Sequence, residues 1–592
     1  MAAGKYMNSQ KVENQLNLAL DLTPGQRAKS GNLNVGYDEA DNTWQLIVRY
    51  MGSLDSIRQL GVTAVELLNN YAILTVPQSM IDVVAASNQI IYIEKPKRLN
   101  FAIDEGKRVS CINQVQEAPF YLHGFGCIVC VIDSGIDYGN EVFIDENGRT
   151  RILELWDQTV TKAENPPPEG YNSGALFTAE NINQALRVQG NARYDIVPSV
   201  DRSGHGTGVA AIAAGNFAGN KSSEPENDQG IATRSELIVV KLGNPQPQSY
   251  PRTSELMQAI DFCVRRGLHY GRPIAINLSF GNNYGSHDGT SLLSTYIDSV
   301  SDIGRSVIVV GTGNEGVSGS HTSGNLAEGE RENVELAVGM YEPSLNVQLW
   351  KSYGDVLRLE IISPSGESTG VLADSLGSHV YRVGGTQLLV YFGEPSPYSP
   401  YQEIYVEFIP IGGAEYIDSG IWKFQITPAR IIDGRFDMWL PGDRVSKSTR
   451  FLRPTPDTTL TVPSTAQSVI SVGAYDPLNF SYADFSGRGY TRATNQVKPD
   501  IVAPGVDIST AAVGGGTVKM TGTSFATPFV TGAAALMMEW GMVRGNDMYL
   551  YGEKVKAYLI KGAKRLDGFS QWPNEQVGWG ALCLKDSLPA GE

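Results

Sequence analysis

Apolar positions along this chain fall into three different rhythms, and each predicts a different kind of structure. From Trp44 to Tyr92 the order reads strand, helix, strand, helix, strand: Trp44 to Tyr50, Ser53 to Leu60, Tyr71 to Val76, Ser79 to Ala86 and Ile90 to Ile93. That is a small α+β unit, and the basic, proline-broken stretch Lys95-Pro-Lys-Arg98 after it reads as a linker. From Cys127 short apolar runs alternate with helical periods: Cys127 to Ile132, Gly206 to Ala214, Leu237 to Leu242, Ser254 to Arg266, Ile274 to Leu278 and Val307 to Val310. Such alternation predicts a doubly wound α/β core, a parallel sheet with helices on both faces.

Between about 330 and 456 the helical periods vanish. Short strands bounded by Gly, Pro, Asp and Ser replace them: Val334 to Val338, Val347 to Lys351, Val356 to Ile362, Leu388 to Phe392, Glu403 to Phe408 and Ile421 to Ile426. This spacing predicts an antiparallel sandwich or jelly roll. The α/β pattern then resumes at Val469 to Val472 and Lys498 to Ala503, and Ser524 to Trp540 reads as a long buried helix. The expected domains are therefore 7–102, a core in two pieces at 103–330 and 457–592, and an all-β insertion at 331–456.

Length and composition narrow the functional classes. At 592 residues the chain exceeds what one core supports, and 42% hydrophobic with 19% charged residues describes a globular protein. A formal charge of -16 without clustered Lys and Arg argues against nucleic acid as a partner. The five cysteines, Cys111, Cys127, Cys130, Cys263 and Cys583, are sparse and odd in number, so no disulfide framework is implied and a reducing compartment fits better. Cys127 and Cys130 have C-x-x-C spacing but sit in an apolar run, which favours a buried strand over a metal or redox site. The polar start, Met1 to Gln15, carries no secretory pattern, and no apolar run approaches the ~20 residues that would span a bilayer.

Three short motifs carry candidate chemistry. Asp133 closes an apolar strand in Val131-Ile-Asp-Ser-Gly-Ile-Asp137, at the edge of a parallel sheet where open α/β folds place their sites. An aspartate there can hold an imidazole in one tautomer and stabilise its cation. His205 lies in Ser203-Gly-His-Gly-Thr-Gly208, where the glycines permit close approach of another backbone before a small-residue helix. Ser524, in Gly522-Thr-Ser-Phe-Ala-Thr-Pro528, opens a helix whose positive end and free N–H groups suit a developing oxyanion; a simple capping role would leave the flanking residues unexplained.

Asp, His and Ser in this order, within these motifs, resemble the subtilisin-like serine proteases. The resemblance implies a serine endopeptidase with Asp133, His205 and Ser524 as triad. It makes Asn314, in Gly311-Thr-Gly-Asn-Glu-Gly316, the side-chain oxyanion donor beside Gly313. It also makes Ser279, Phe280 and Gly281 the wall that receives substrate as an added strand. The N-terminal unit is similar to the family's inhibitory prodomain and folding helper. Its tail would lie in the cleft and be cut after Ala102, within about three residues, so that a modest pocket for small residues is implied.

The prodomain, the position of the β insertion and the absence of a secretion pattern resemble the germination-associated Csp-type subtilases of spore-forming anaerobes. That branch implies limited proteolysis of a spore cortex hydrolase and a cytoplasmic or spore-associated location. The partners implied are a protein or peptide substrate and the chain's own prodomain, with no membrane span. Other readings are a catalytically silent regulatory pseudoprotease, a housekeeping protease unrelated to spores, and a carbohydrate- or partner-binding insertion, in which Tyr398, Tyr401 and Tyr405 cluster near a Pro-rich turn. No cofactor is required by the triad mechanism, and no metal is expected, since Asp145-Glu-Asn-Gly148 reads as a hairpin turn and not as a calcium loop.

Overall fold

A computed structural model of the chain describes residues 10–30, 32–97, 100–101, 109–161, 165–216, 230–243, 250–372, 375–442 and 448–589. The chain divides into two compact units. One gathers Met1–Arg98, Asn282–Leu292 and Glu315–Thr459; the other gathers Leu99–Gly281, Leu293–Asn314 and Leu460–Glu592.

The second unit is built on a mixed sheet of nine strands among the described residues. Its parallel core runs Ile470–Asp476, Ser306–Gly311, Ile274–Leu278, Ile128–Asp133, Glu236–Lys241, Ile152–Asp157, with Ile501–Pro504 also beside Ile470–Asp476. These are the continuous apolar runs of the sequence, and every residue of Ile128–Asp133, Ile274–Leu278 and Ser306–Gly311 is buried, as a sheet covered on both faces requires. Helices His205–Ala214 and Thr523–Met538 are buried along their whole length and pack against each other. Small residues, chiefly Ala and Gly, allow that approach.

Cys111 and Cys583, 472 positions apart in sequence, are joined by a disulfide, with Cα atoms 4.9 Å apart. This corrects the expectation that no disulfide is implied: a pairing across such a separation leaves no spacing signal to read. Cys127, Cys130 and Cys263 are free and buried. Burial pushes the Cys127 and Cys130 thiols up, so neither is poised as a thiolate.

In the first unit the strands Thr43–Tyr50, Tyr71–Pro77 and Ile90–Glu94 fall where the alternation predicts them, with Thr63–Glu66 added at one edge. Among the described residues the segment from His321 to Phe451 forms two antiparallel sheets of six and five strands. Their inward residues, among them Val347, Leu388, Val406, Leu336, Leu359 and Phe424, make one core. Tyr405 is buried, and Tyr398 meets Tyr92 edge-on at 5.7 Å, so these tyrosines form internal contacts and not an exposed platform.

The N-terminal helix Asn14–Asp21 seats against this β region, and Leu389, Tyr391, Tyr405 and Ile409 share a core with Leu16, Leu18, Leu20 and Trp44. Lys95 and Lys97, in the stretch that reads as a linker, are buried. Lys97 Nζ pairs with Glu13 at 2.7 Å and with Glu94. Burial opposes its charge, yet the two carboxylates hold it above its ordinary value.

Glu403 lies in the same dry cluster, accepting hydrogen bonds from Gln348 and, at 3.2 Å, from Asn14. Burial pushes its carboxyl from 4.5 up to about 7. A carboxyl that binds its proton more tightly in the folded chain contributes stability below its unfolded value, and loses it as pH climbs through its folded value. Stability of this unit should therefore fall between pH 4.5 and pH 7, by up to about 3 kcal/mol from this group. Denaturant titration of the Ser524→Ala chain across that range, with and without Glu403→Gln, checks this. Glu403→Gln should flatten the dependence, and an unchanged slope would refute the assignment.

Candidate active site

The site grows from the carboxyl edge of the parallel sheet in the second unit. Ile128–Asp133 ends there with Asp133, fully buried. The helix His205–Ala214 begins at the same edge, entered through Gly204 in the left-handed region at φ 75°. A Cβ on Gly206 would stand 2.2 Å from the Gly135 carbonyl and 3.1 Å from Asp133 Cβ. Only glycine lets the helix start lie this close to the strand end.

The result is a 2.6 Å contact between His205 Nδ1 and Asp133 Oδ1, with both side chains out of solvent. Asp133 Oδ1 also accepts the Ser134 N–H at 2.7 Å, while Oδ2 is buried and, among the described residues, has no hydrogen-bond partner. A carboxylate placed so fixes the imidazole tautomer and favours the cation.

Ser524 occupies the first turn of Thr523–Met538, where the Phe525 and Ala526 N–H groups turn back to the Gly522 carbonyl. Its hydroxyl donates to the Ser279 carbonyl at 2.9 Å, and the Ser279 hydroxyl donates back to the Ser524 carbonyl at 2.8 Å. Phe525 packs edge-on against the His205 ring at 5.1 Å, so the helix carrying Ser524 and the helix carrying His205 meet at this point.

Asn314 follows the buried strand Ser306–Gly311. Its Oδ1 accepts the Thr523 N–H at 3.0 Å, and the Gly313 N–H donates to Thr523 Oγ1 at 3.1 Å. With its oxygen committed to Thr523, the amide of Asn314 is oriented with its NH2 group turned away from that contact. Thr523 is a residue that sequence reading passed over, although the Gly-Thr-Ser run contained it.

Phe280–Gly281 pairs antiparallel with Asn100–Phe101, with Phe280 opposite Phe101 and Gly281 opposite Asn100. The segment expected to receive an added strand thus holds one from the chain itself. Ala102, the expected cleavage position, lies outside the described residues. Among the described residues no group of three or more His, Cys, Asp or Glu could hold a metal ion, and no helix is long and apolar enough to cross a membrane.

Residues 124–389 and 450–580 match the subtilase family. The chain belongs to that family. Residues 10–97 of this subtilase match the Csp protease B prodomain. It is 36% identical to the Clostridium perfringens CspB protease, a solved structure, over 81% of this chain and 95% of that one, with a TM-score of 0.73. It is 23% identical over 440 residues to a subtilisin-like protease of Arabidopsis thaliana, covering 70% of this chain and 53% of the relative. It is also 32% identical over 158 residues to a serine protease of Bacillus subtilis, covering 23% of this chain and 33% of that protein. This subtilase therefore spans about half the length of its plant relative.

The Gly206 contact supplies a direct check. Gly206→Ala places a methyl group against the Gly135 carbonyl and must push the helix start away from Asp133. Differential scanning calorimetry should show unfolding lowered by roughly 3–10 °C. An unchanged transition would mean that the approach is looser than the geometry requires.

Proposed function

We propose that this subtilase is a serine endopeptidase with Asp133, His205 and Ser524 as its triad. Ser524 Oγ attacks a peptide carbonyl while His205 takes its proton, and Asp133 holds His205 in the required tautomer. The protonated His205 then gives that proton to the departing amine as the C–N bond breaks and the acyl-enzyme forms, and water, with His205 again the base, hydrolyses the ester to free Ser524 and the carboxyl product. Asn314 and the Ser524 N–H receive the oxyanion; losing one such donor usually costs about 10²–10³ in turnover. Ser279, Phe280, Gly281 and Gly313 hold the substrate backbone. The observation that carries the reading is the buried 2.6 Å contact of His205 with Asp133 at the sheet edge.

The N-terminal segment, 7–102, acts in this proposal as a prodomain whose tail occupies the cleft and is cut after Ala102. The antiparallel pairing of Asn100–Phe101 with Phe280–Gly281 supports it, because a substrate strand would make the same backbone ladder. The two-sheet β region, about 331–456, is a jelly-roll insertion between the pieces 103–330 and 457–592. It supplies no catalytic group. The match to a Csp protease B prodomain favours a germination role, in which limited proteolysis activates a cortex hydrolase in the spore. It carries more weight here than a housekeeping protease or a silent regulator.

Wild-type protein should run as two fragments under denaturing conditions, with a new N-terminus between 97 and 106, and Ser524→Ala as one. A fluorophosphonate should label wild type at Ser524. Identical migration of the two proteins, together with no labelling, would refute the reading.

A further inference from the structure

The Asp133 and His205 segments meet at a third carboxylate that the sequence motifs did not single out. Asp201 is 1% exposed. Its Oδ1 accepts from Ser134 Oγ at 2.9 Å, Ser203 Oγ at 3.1 Å and the Gly204 N–H at 3.0 Å. Its Oδ2 accepts from the Thr207 N–H at 2.9 Å and Thr207 Oγ1 at 2.7 Å.

Two of these hydroxyls extend the network by one bond. Ser203 Oγ accepts the His205 N–H at 3.2 Å, and Ser134 Oγ accepts the Gly206 N–H at 2.9 Å. The first helical N–H to find a carbonyl in its own helix is that of Gly208, which bonds Gly204. Ser203 Oγ also lies 2.8 Å from Ser134 Oγ, so the four before it, on Gly204, His205, Gly206 and Thr207, all end on Asp201, directly or through one or two hydroxyls. A helix start normally leaves these donors to water or a cap.

The same network reaches the strand end. Ser134, whose hydroxyl binds Asp201, gives its own N–H to Asp133 Oδ1, and Thr207 Oγ1 accepts the Asp137 N–H at 2.9 Å. One buried carboxylate therefore fixes both bodies whose spacing sets the 2.6 Å contact, and adds negative charge at the positive end of the helix that begins with His205.

We propose that Asp201 is a positioning residue for the reaction: it sets the separation of Asp133 and His205 and raises the proton affinity of the imidazole. This rests on the triad reading above. Asp201→Asn keeps the shape but cannot accept on both arms, because the amide nitrogen only donates.

The test compares wild type, Asp201→Asn and Asp355→Asn. Asp355 is a buried cap in the other unit that accepts three backbone N–H groups, from Ile432, Asp433 and Gly434, so it matches the structural loss without touching the site. Asp201→Asn should slow the maximal rate of fluorophosphonate labelling about tenfold or more, with little change in the concentration for half-maximal rate. The acid limb of its pH profile should move to lower pH. Asp355→Asn should lower the unfolding temperature and leave both unchanged.

A loss of stability in Asp201→Asn with rate and pH limb unaltered would overturn the proposal. If Asp201→Asn does not fold, Ser134→Ala removes the arm to the strand end together with the acceptor of the Gly206 N–H, leaves the other bonds to Asp201 in place, and should shift both readouts in the same direction, smaller in size. Absence of labelling in wild type would strike the triad reading instead. Histidine NMR titration of His205 then still decides the matter for Asp201, since its pKa must fall in Asp201→Asn whether or not Ser524 reacts.

Discussion

A strand that ends in Asp133 and a helix that begins with His205 must meet, with neither side chain in water. The second unit is organised around that demand. A buried carboxylate needs a partner, and an imidazole placed 2.6 Å away supplies it. The approach requires a residue without a side chain at 206, a left-handed entry at Gly204, and small residues along both buried helices. It also requires a place for the helix's unpaired N–H groups, which the dry interior cannot leave to solvent. Ser524 and Asn314 are fixed by similar means, each through backbone and hydroxyl bonds around Thr523 and Ser279.

Much of this was legible because the constraints are local. The strands Ile128–Asp133 and Ile274–Leu278 are unbroken apolar runs, since both faces are covered. Glycines beside His205 and Ser524 mark close approaches that leave a trace in the sequence. The polar network is a different matter. Asp201 lies four residues before His205, but only the fold brings Ser134 and Thr207 to its two oxygens. Helix Asn14–Asp21 escaped notice for a related reason: Gln15 and Asn17 are buried with the leucines, so no polar face sets a helical period. The burial of Lys97 leaves no trace in its own stretch, because Glu13, which completes the buried cluster, is remote in sequence.

The first unit joins regions that the sequence presents as separate. The N-terminal sheet and helix share apolar residues with strands more than 300 positions later, and a cluster of Glu13, Glu94, Lys97 and Glu403 lies among them. Hydrophobic contact supplies most of the attraction, while the ionic cluster makes its strength sensitive to pH. Two histidines stacked on Trp439, His287 at 4.3 Å and His321 at 4.5 Å, pin the short segment Asn282–Leu292 into the same unit.

The bond between Cys111 and Cys583 gives the polypeptide a closed covalent circuit of 472 steps, with residues 1–110 hanging from it as a tail. Asp133, His205, Asn314 and Ser524 all lie on the circuit. A break in the tail leaves a piece with no covalent tie to the rest, held only by its packing. A single break anywhere on the circuit severs nothing, because both sides of the gap remain tethered through the sulfur link, and shedding a fragment there takes two cuts or reduction. The molecule therefore distinguishes, by connectivity alone, between the part that one hydrolysis can remove and the part that it cannot.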